Sequence, residues 1–205
     1  MRLVSLAGGV AALAVASVLP ERPLAAHMVQ HLLIATVAPG LIALSAPVRL
    51  ALARLPRRGR HALADAMHRT SALAHPAVAV GLAVTALLAF HLTPLFGAAL
   101  GDPILHGLEH ALLFWTGLLA WMAILGVDPL PSTPGGVGAL AALTAWMLPM
   151  AAIGAVWTTA PGDRQAGGEV MWFGGLAVMG PAALAICVRA LWLEEARQRR
   201  REAVR

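Results

Sequence analysis

Two histidines and a carboxylate interrupt an apolar run between residues 104 and 121. His106, Glu109 and His110 lie in a stretch otherwise apolar enough to cross a bilayer. Ionisable side chains are costly in hydrocarbon and usually mark a function there. A second pair, His27 and His31, opens another apolar run, and both pairs have i, i+4 spacing. This spacing places two imidazoles on one helix face within about 6 Å, close enough to share a metal ion.

The composition of the chain predicts a membrane protein. Its 205 residues are 59% apolar and 12% charged, with a mean hydropathy of +0.76, which exceeds what a soluble core of this size requires. The net charge of +5 comes from arginines in short blocks between apolar runs. That pattern is typical of membrane topology, so we expect lipid contacts and no nucleic-acid partner. The single cysteine, Cys187, excludes an intramolecular disulfide framework.

The apolar runs predict an all-α, polytopic transmembrane bundle with no separate soluble domain. Six spans are expected, at about residues 3–19, 24–46, 74–91, 103–126, 139–157 and 167–193. Residues 1–193 would form one transmembrane domain, followed by a basic tail at residues 194–205. The first run is of marginal length and could equally be an uncleaved signal-like segment.

Local signals define the connections between these spans. Asp102 followed by Pro103 predicts a capped start for the fourth span, and Pro149 is expected to kink the fifth. Residues 127–138 are rich in glycine and proline and predict a turn. Residues 158–166 predict a polar loop, and residues 163–169 are either a capped turn or a polar lid.

The arginines orient the predicted bundle. With both termini in the cytoplasm, six spans leave only Arg22 and Arg164 outside, as the positive-inside rule favours. Residues 47–71 are too basic to insert and are partly amphipathic, which predicts a segment lying on the anionic inner leaflet. The histidines of that cytoplasmic side are expected to be solvated or to contact lipid headgroups: His61, His68 and His75.

The same topology places five histidines in one layer near the outer face. They begin or end three successive spans, where one helical turn advances only about 5.4 Å: His27, His31, His91, His106 and His110. We predict that these five imidazoles form a metal site. Partners that orient the imidazoles or balance charge are expected to be Gln30, Glu109, Asp102 and Asp163. Thioethers beside imidazoles suit Cu(I), and candidates at a similar height are Met28, Met150 and Met171.

Other interpretations of these residues remain open. Each histidine alone could anchor a helix or hydrogen-bond to a neighbour, and methionines readily fill irregular core gaps. One histidine from each of two helices could instead bind haem. His106 to His110 also matches His-x-x-Glu-His, a motif of zinc peptidases, although no further ligand or substrate groove is identifiable. A scaffold without metal is the simplest alternative, whereas the apolar inner halves of the helices argue against a transporter.

Several motifs occur in a fixed order between residues 24 and 175. They are His27-Met-Val-Gln-His31, Ala38-Pro39-Gly40, Phe90-His91-Leu-Thr-Pro94, His106-x-x-x-His110 with Phe114-Trp115, and Asp163-x-Gln165-x-Gly167 with Met171-Trp172. Together they resemble the CtaG family of cytochrome c oxidase assembly factors. The chain departs from the family at Phe90, where tryptophan is usual, and at Arg164, where glutamine is common. It is also expected to lack a leading helix that many members have, which leaves a divergent paralogue open.

The resemblance implies a multi-pass protein of the bacterial plasma membrane that helps to mature a haem-copper oxidase. It implies copper as the bound ion and an oxidase subunit as its recipient, so that the protein acts as a metallochaperone and not as an enzyme. The family's histidine positions correspond to the five histidines of the predicted layer. The sequence indicates no oligomeric state.

Overall fold

The chain folds into helices, as its composition predicts. A computed structural model describes residues 1–127 and 134–203, and these residues contain helices and no β-strand. The helices are α1 (Arg2–Val18), α2 (Leu24–Leu44), α3 (Pro47–Arg54), α4 (Arg57–Arg69), α5 (Pro76–Leu92), α6 (Leu95–Ala99), α7 (Pro103–Leu125), α8 (Gly136–Thr158) and α9 (Asp163–Glu202). The predicted all-α class is confirmed. Most of the predicted turn at residues 127–138, and the last two residues of the tail, lie outside the described residues.

Four of the described helices are long and apolar enough to cross a membrane: α2, α7, α8 and α9. The helices α1 and α5 are apolar but shorter, at 17 residues each. This composition indicates a membrane protein, while the six-span count and the cytoplasmic location of both termini stay predictions.

The predicted extent of the polar loop, residues 158–166, is wrong. Helix α9 begins at Asp163 and continues to Glu202, so it includes residues 163–169 and passes through the predicted tail boundary at residue 193. Gly162, at φ +75°, turns the chain just before this helix, and an acidic residue at the first position favours the helix start electrostatically. Residues 163–169 therefore form the first turns of α9 and not the predicted turn, while their role as a polar lid stays a prediction.

The helices pack as a closed ring with one addition. Helix α2 contacts α7, α7 contacts α5, α5 contacts α8, α8 contacts α9, and α9 returns to α2, while α1 packs on the outside of α2. The basic segment between α2 and α5 contributes α3 and α4, neither of which has a buried residue. This exposure agrees with the predicted surface segment at residues 47–71, whose contact with lipid stays a prediction.

The predicted start of the fourth span is confirmed in detail. The Asp102 carboxylate accepts hydrogen bonds from the backbone N–H groups of Ile104 (2.8 Å) and Leu105 (3.3 Å), as an N-cap residue does. Gly126, at φ +59°, ends α7 in the left-handed conformation that glycine adopts without strain. Pro149 lies inside α8, which continues on both sides of it; the kink stays a prediction.

Two π-helical segments interrupt helices that the sequence pattern predicts as plain α-helices. They span Leu33–Val37 in α2 and Val170–Gly174 in α9. The first faces α7, where the Trp121 indole N–H donates to the Thr36 carbonyl at 2.9 Å. Gly117 lies so close to the Ala35 carbonyl that a Cβ atom there would overlap it. A close backbone approach and one buried hydrogen bond therefore hold the π segment of α2 against α7.

Replacing Trp121 with phenylalanine should destabilise this α2–α7 contact. The substitution removes the indole N–H that donates to the Thr36 carbonyl and part of a buried ring, which together cost about 1–3 kcal/mol. The free energy of unfolding in detergent measures the loss. Trp115→Phe is the matched control because Trp115 lies on the same helix with 64% of its surface exposed; an equal loss in both variants would contradict the assignment.

Candidate metal centre

The structure brings the five predicted histidines together. The imidazole centroids of each i, i+4 pair are 4.2 Å apart for His27 and His31, and 4.1 Å apart for His106 and His110. Between helices, the centroids of His27 and His106 are 5.2 Å apart, and those of His31 and His91 are 5.3 Å apart. Three helices, α2, α5 and α7, therefore meet in one compact cluster, which we call the histidine layer.

The histidine layer is shielded from solvent. Four of its histidines are buried and His110 is partly buried. Two aromatic residues cover it from α6 and α8: Phe96 lies 6.0 Å from His27 between ring centroids, and Trp157 lies 5.8 Å from His91. The guanidinium of Arg164, which departs from the family pattern, stacks 5.3 Å from the Trp157 ring centroid. The rings are therefore held among apolar and aromatic neighbours.

Two groups of side chains have ligand atoms close enough to hold an ion. In each group the atoms lie within 4.8 Å of one another, and His31 belongs to both. The first group is His27, His31, His106 and His110, and the second is His31, His91 and Glu109. Because metal–nitrogen bonds are about 2.0 Å, atoms on one ion lie at most about 4 Å apart. Any spacing above about 4 Å would have to shorten when an ion binds.

The donor atoms of the histidine layer fit a metal ion because most have no other partner. The buried atoms without a hydrogen bond to any described residue include both ring nitrogens of His27, Nε2 of His31, His106 and His110, and both carboxyl oxygens of Glu109. Buried polar atoms are normally paired, and each unpaired one costs about 1–3 kcal/mol. An ion coordinated by these atoms would remove that cost.

Hydrogen bonds assign the lone pairs of two rings. His91 Nδ1 lies 2.9 Å from the Leu87 carbonyl, which can only accept, so His91 carries its proton on Nδ1 and a lone pair on Nε2. His31 Nδ1 lies 3.3 Å from that Nε2 and therefore donates to it. This leaves the His31 lone pair on Nε2, 3.7 Å from Glu109 Oε1, directed into the layer.

Sequence reasoning missed Glu21, which contacts the layer from the connection between α1 and α2. Its carboxylate lies 3.2 Å from His106 Nδ1, and its side chain is 55% exposed. A carboxylate there orients the ring and leaves Nε2 for an ion. A usable signal was present in the topology, because the α1–α2 connection is predicted at the same outer face as the histidines.

The predicted partner residues have different roles in the structure. Glu109 is completely buried within the layer, whereas Gln30 donates to the Ala16 carbonyl at 3.0 Å and ties α2 to α1. Asp102 caps its own helix, and the Asp163 carboxylate accepts from the Leu24 backbone N–H at 2.8 Å. Asp163 thus caps α2, the helix that carries two of the histidines. The methionines belong to the hydrophobic core: Met28, Met150 and Met171.

The imidazoles of the layer lie close to one another. Every one of them has at least one other within 5.3 Å, centroid to centroid. A bis-histidine haem places a flat macrocycle between its two axial imidazoles, so binding it here would require the remaining rings to move apart.

Comparison with known protein families agrees with this geometry. The model of the cytochrome c oxidase caa3 assembly factor family, Caa3_CtaG, matches residues 1–192. The chain belongs to this family. The CtaG resemblance of the sequence motifs is thereby confirmed, and the family is one of oxidase assembly factors. Comparison with curated proteins and with solved structures gave no match.

Removing the Asp163 cap should weaken the positioning of α2. Asp163→Ala leaves the Leu24 N–H without its side-chain partner and is expected to cost about 1 kcal/mol of unfolding free energy. Asp163→Asn should retain most of the stability, since asparagine also caps helices. Thermal unfolding in detergent compares the two variants, and equal losses would argue that charge rather than capping matters.

Proposed function

We propose that this member of the CtaG family binds copper in the histidine layer and passes it to a cytochrome c oxidase subunit during assembly. It acts as a metallochaperone without chemical turnover, at the outer face of the bacterial plasma membrane. The supporting observation is the cluster of imidazoles in which several buried ring nitrogens have no hydrogen bond to a described residue.

The chemistry of the donors favours copper among the metals that an oxidase contains. Imidazole suits zinc, copper, iron and nickel, whereas magnesium and calcium prefer oxygen ligands. Neutral nitrogen donors in a dry, aromatic-lined layer suit monovalent copper, since little charge needs compensation there. Maturation of a haem-copper oxidase requires copper, so the family membership and the donor set point to the same ion.

Loss of the histidine pair on α2 should abolish copper retention. His27→Ala/His31→Ala removes a ligand from both candidate groups. Protein purified from copper-replete cells under reducing conditions should carry about one copper per chain in the wild type and less than about a tenth of that in the variant, because each lost ligand lowers affinity steeply. Metal analysis of the detergent-purified protein measures both.

The matched control is His61→Ala/His68→Ala, which removes two histidines from the exposed helix α4. It should retain the wild-type copper content. Equal copper in all three proteins, or none in the wild type, would refute copper binding by the layer. A Soret band in the purified protein would favour haem instead. If replacing all five histidines left cellular oxidase activity unchanged, the protein would be a scaffold.

Glu21 should tune copper affinity through His106. Glu21→Gln removes the negative charge that orients the His106 ring. Measured in a His91→Ala/Glu109→Gln background, where an ion can bind only the group of four histidines, loss of such a partner should cost about 10- to 100-fold in metal affinity. Competition with a chromophoric Cu(I) chelator measures the change, alongside thermal stability, which should stay the same. Glu169→Gln is the control, since Glu169 contacts the exposed Gln165 and not a histidine. A similar affinity loss in both variants would indicate a general charge effect.

A further inference from the structure

We propose that the histidine layer consists of two overlapping subsites that share His31 and hold one ion in turn. This inference rests on the proposed copper binding and deepens it. The entry subsite is formed by His27, His31, His106 and His110, and the inner subsite by His31, His91 and Glu109. Copper would arrive at the first and come to rest in the second.

The two nitrogens of His31 face different neighbours. Nδ1 lies 3.3 Å from His91 Nε2, while Nε2 lies 3.7 Å from Glu109 Oε1. The ring is also nearly perpendicular to that of His110, at 87° with centroids 5.2 Å apart. Both nitrogens therefore face members of the inner subsite, while the His31 ring lies beside two members of the entry subsite, His110 and His27, whose ring centroid is 4.2 Å away.

The single lone pair of His31 makes the two subsites alternatives. A neutral imidazole has one lone pair, on whichever nitrogen lacks the proton. The two groups of candidate ligands have this one side chain in common. The imidazole therefore serves one subsite at a time, which predicts one ion per chain.

The distance between His31 and His91 suits a shared ion. Two nitrogens 3.3 Å apart, each about 2.0 Å from an ion, subtend roughly 110° at it. The hydrogen bond from His91 Nδ1 to the Leu87 carbonyl holds the ring so that the Nε2 lone pair points at His31. A carbonyl partner of this kind commonly fixes the tautomer of a metal-binding histidine.

Charge favours the inner subsite as the resting position. Glu109 is completely buried, and neither of its oxygens has a hydrogen bond to a described residue. The entry subsite has only imidazoles, whereas the inner one includes Glu109, whose carboxyl group would release its proton on coordinating the cation and would then oppose the ion's charge. On the other side, His106 contacts the half-exposed Glu21, which links the entry subsite to solvent.

Titration with Cu(I) tests the two subsites separately. The detergent-purified full-length chain is titrated anaerobically against a chromophoric competing chelator, together with His106→Ala/His110→Ala, His91→Ala/Glu109→Gln and His31→Ala. The wild type should bind one equivalent. Each double variant should also bind one equivalent, because the other subsite remains. The inner-subsite variant, His91→Ala/Glu109→Gln, should bind Cu(I) at least about tenfold more weakly than the wild type, since losing even a partner of a ligand costs that much affinity.

His31→Ala should bind more weakly than either double variant, although it removes one side chain and not two. His61→Ala on α4 is the control and should match the wild type. Two equivalents in the wild type, wild-type affinity in the inner-subsite variant, or His31→Ala binding as tightly as the double variants would each overturn the shared-ligand arrangement. No Cu(I) binding by the wild type would instead overturn the proposed copper function itself.

X-ray absorption on the wild type alone gives a test that does not depend on any variant folding. At one equivalent of Cu(I), scattering from two imidazole rings is expected, as the inner subsite provides. Scattering from four rings would place the ion in the entry subsite and would overturn the proposed resting position.

Discussion

The constraint on which the structure depends is the burial of ionisable groups. Glu109 and several imidazole nitrogens lie inside the bundle with no hydrogen bond to a described residue. At about 1–3 kcal/mol for each unpaired atom, the penalty is comparable with the ~5–15 kcal/mol that stabilises a typical domain. In the proposed function, a bound cation offsets this cost because it can coordinate imidazole lone pairs and a carboxylate together.

The surrounding helices hold these groups in place by contacts that are not themselves part of the histidine layer. Asp163 at the start of α9 caps α2, and Gln30 joins α2 to the carbonyl of Ala16. Trp121 holds the π-helical turn of α2 against α7. Helix α2 is thus fixed from three sides by α1, α7 and α9, and it carries His31, the residue that both ligand groups contain.

The helical class and the meeting of the five histidines could be predicted because both follow from simple rules. Apolar runs indicate helices, and alternating spans bring the end of α5 to the same side as the starts of α2 and α7. Residue-level pairings could not be predicted, since they depend on helix rotation and packing that hydrophobic periodicity does not specify. Hence Glu21 was missed, Asp163 proved to cap another helix, and the π-helical turns were not expected. The start of α9 at Asp163 was missed because a short polar run followed by glycines is typical of a loop.

The proposed copper function requires the same residues both to hold an ion and to release it. Ligands carried on packed helices have little freedom, which favours tight binding, whereas a chaperone must give its ion up. Under the proposal of two subsites, His31 belongs to both candidate groups, so an ion would keep one ligand while it changes subsite. Glu21, in contrast, lies on the connection between α1 and α2 and is half-exposed. The side of the histidine layer at His106 is therefore the one next to solvent, while Glu109 is completely buried.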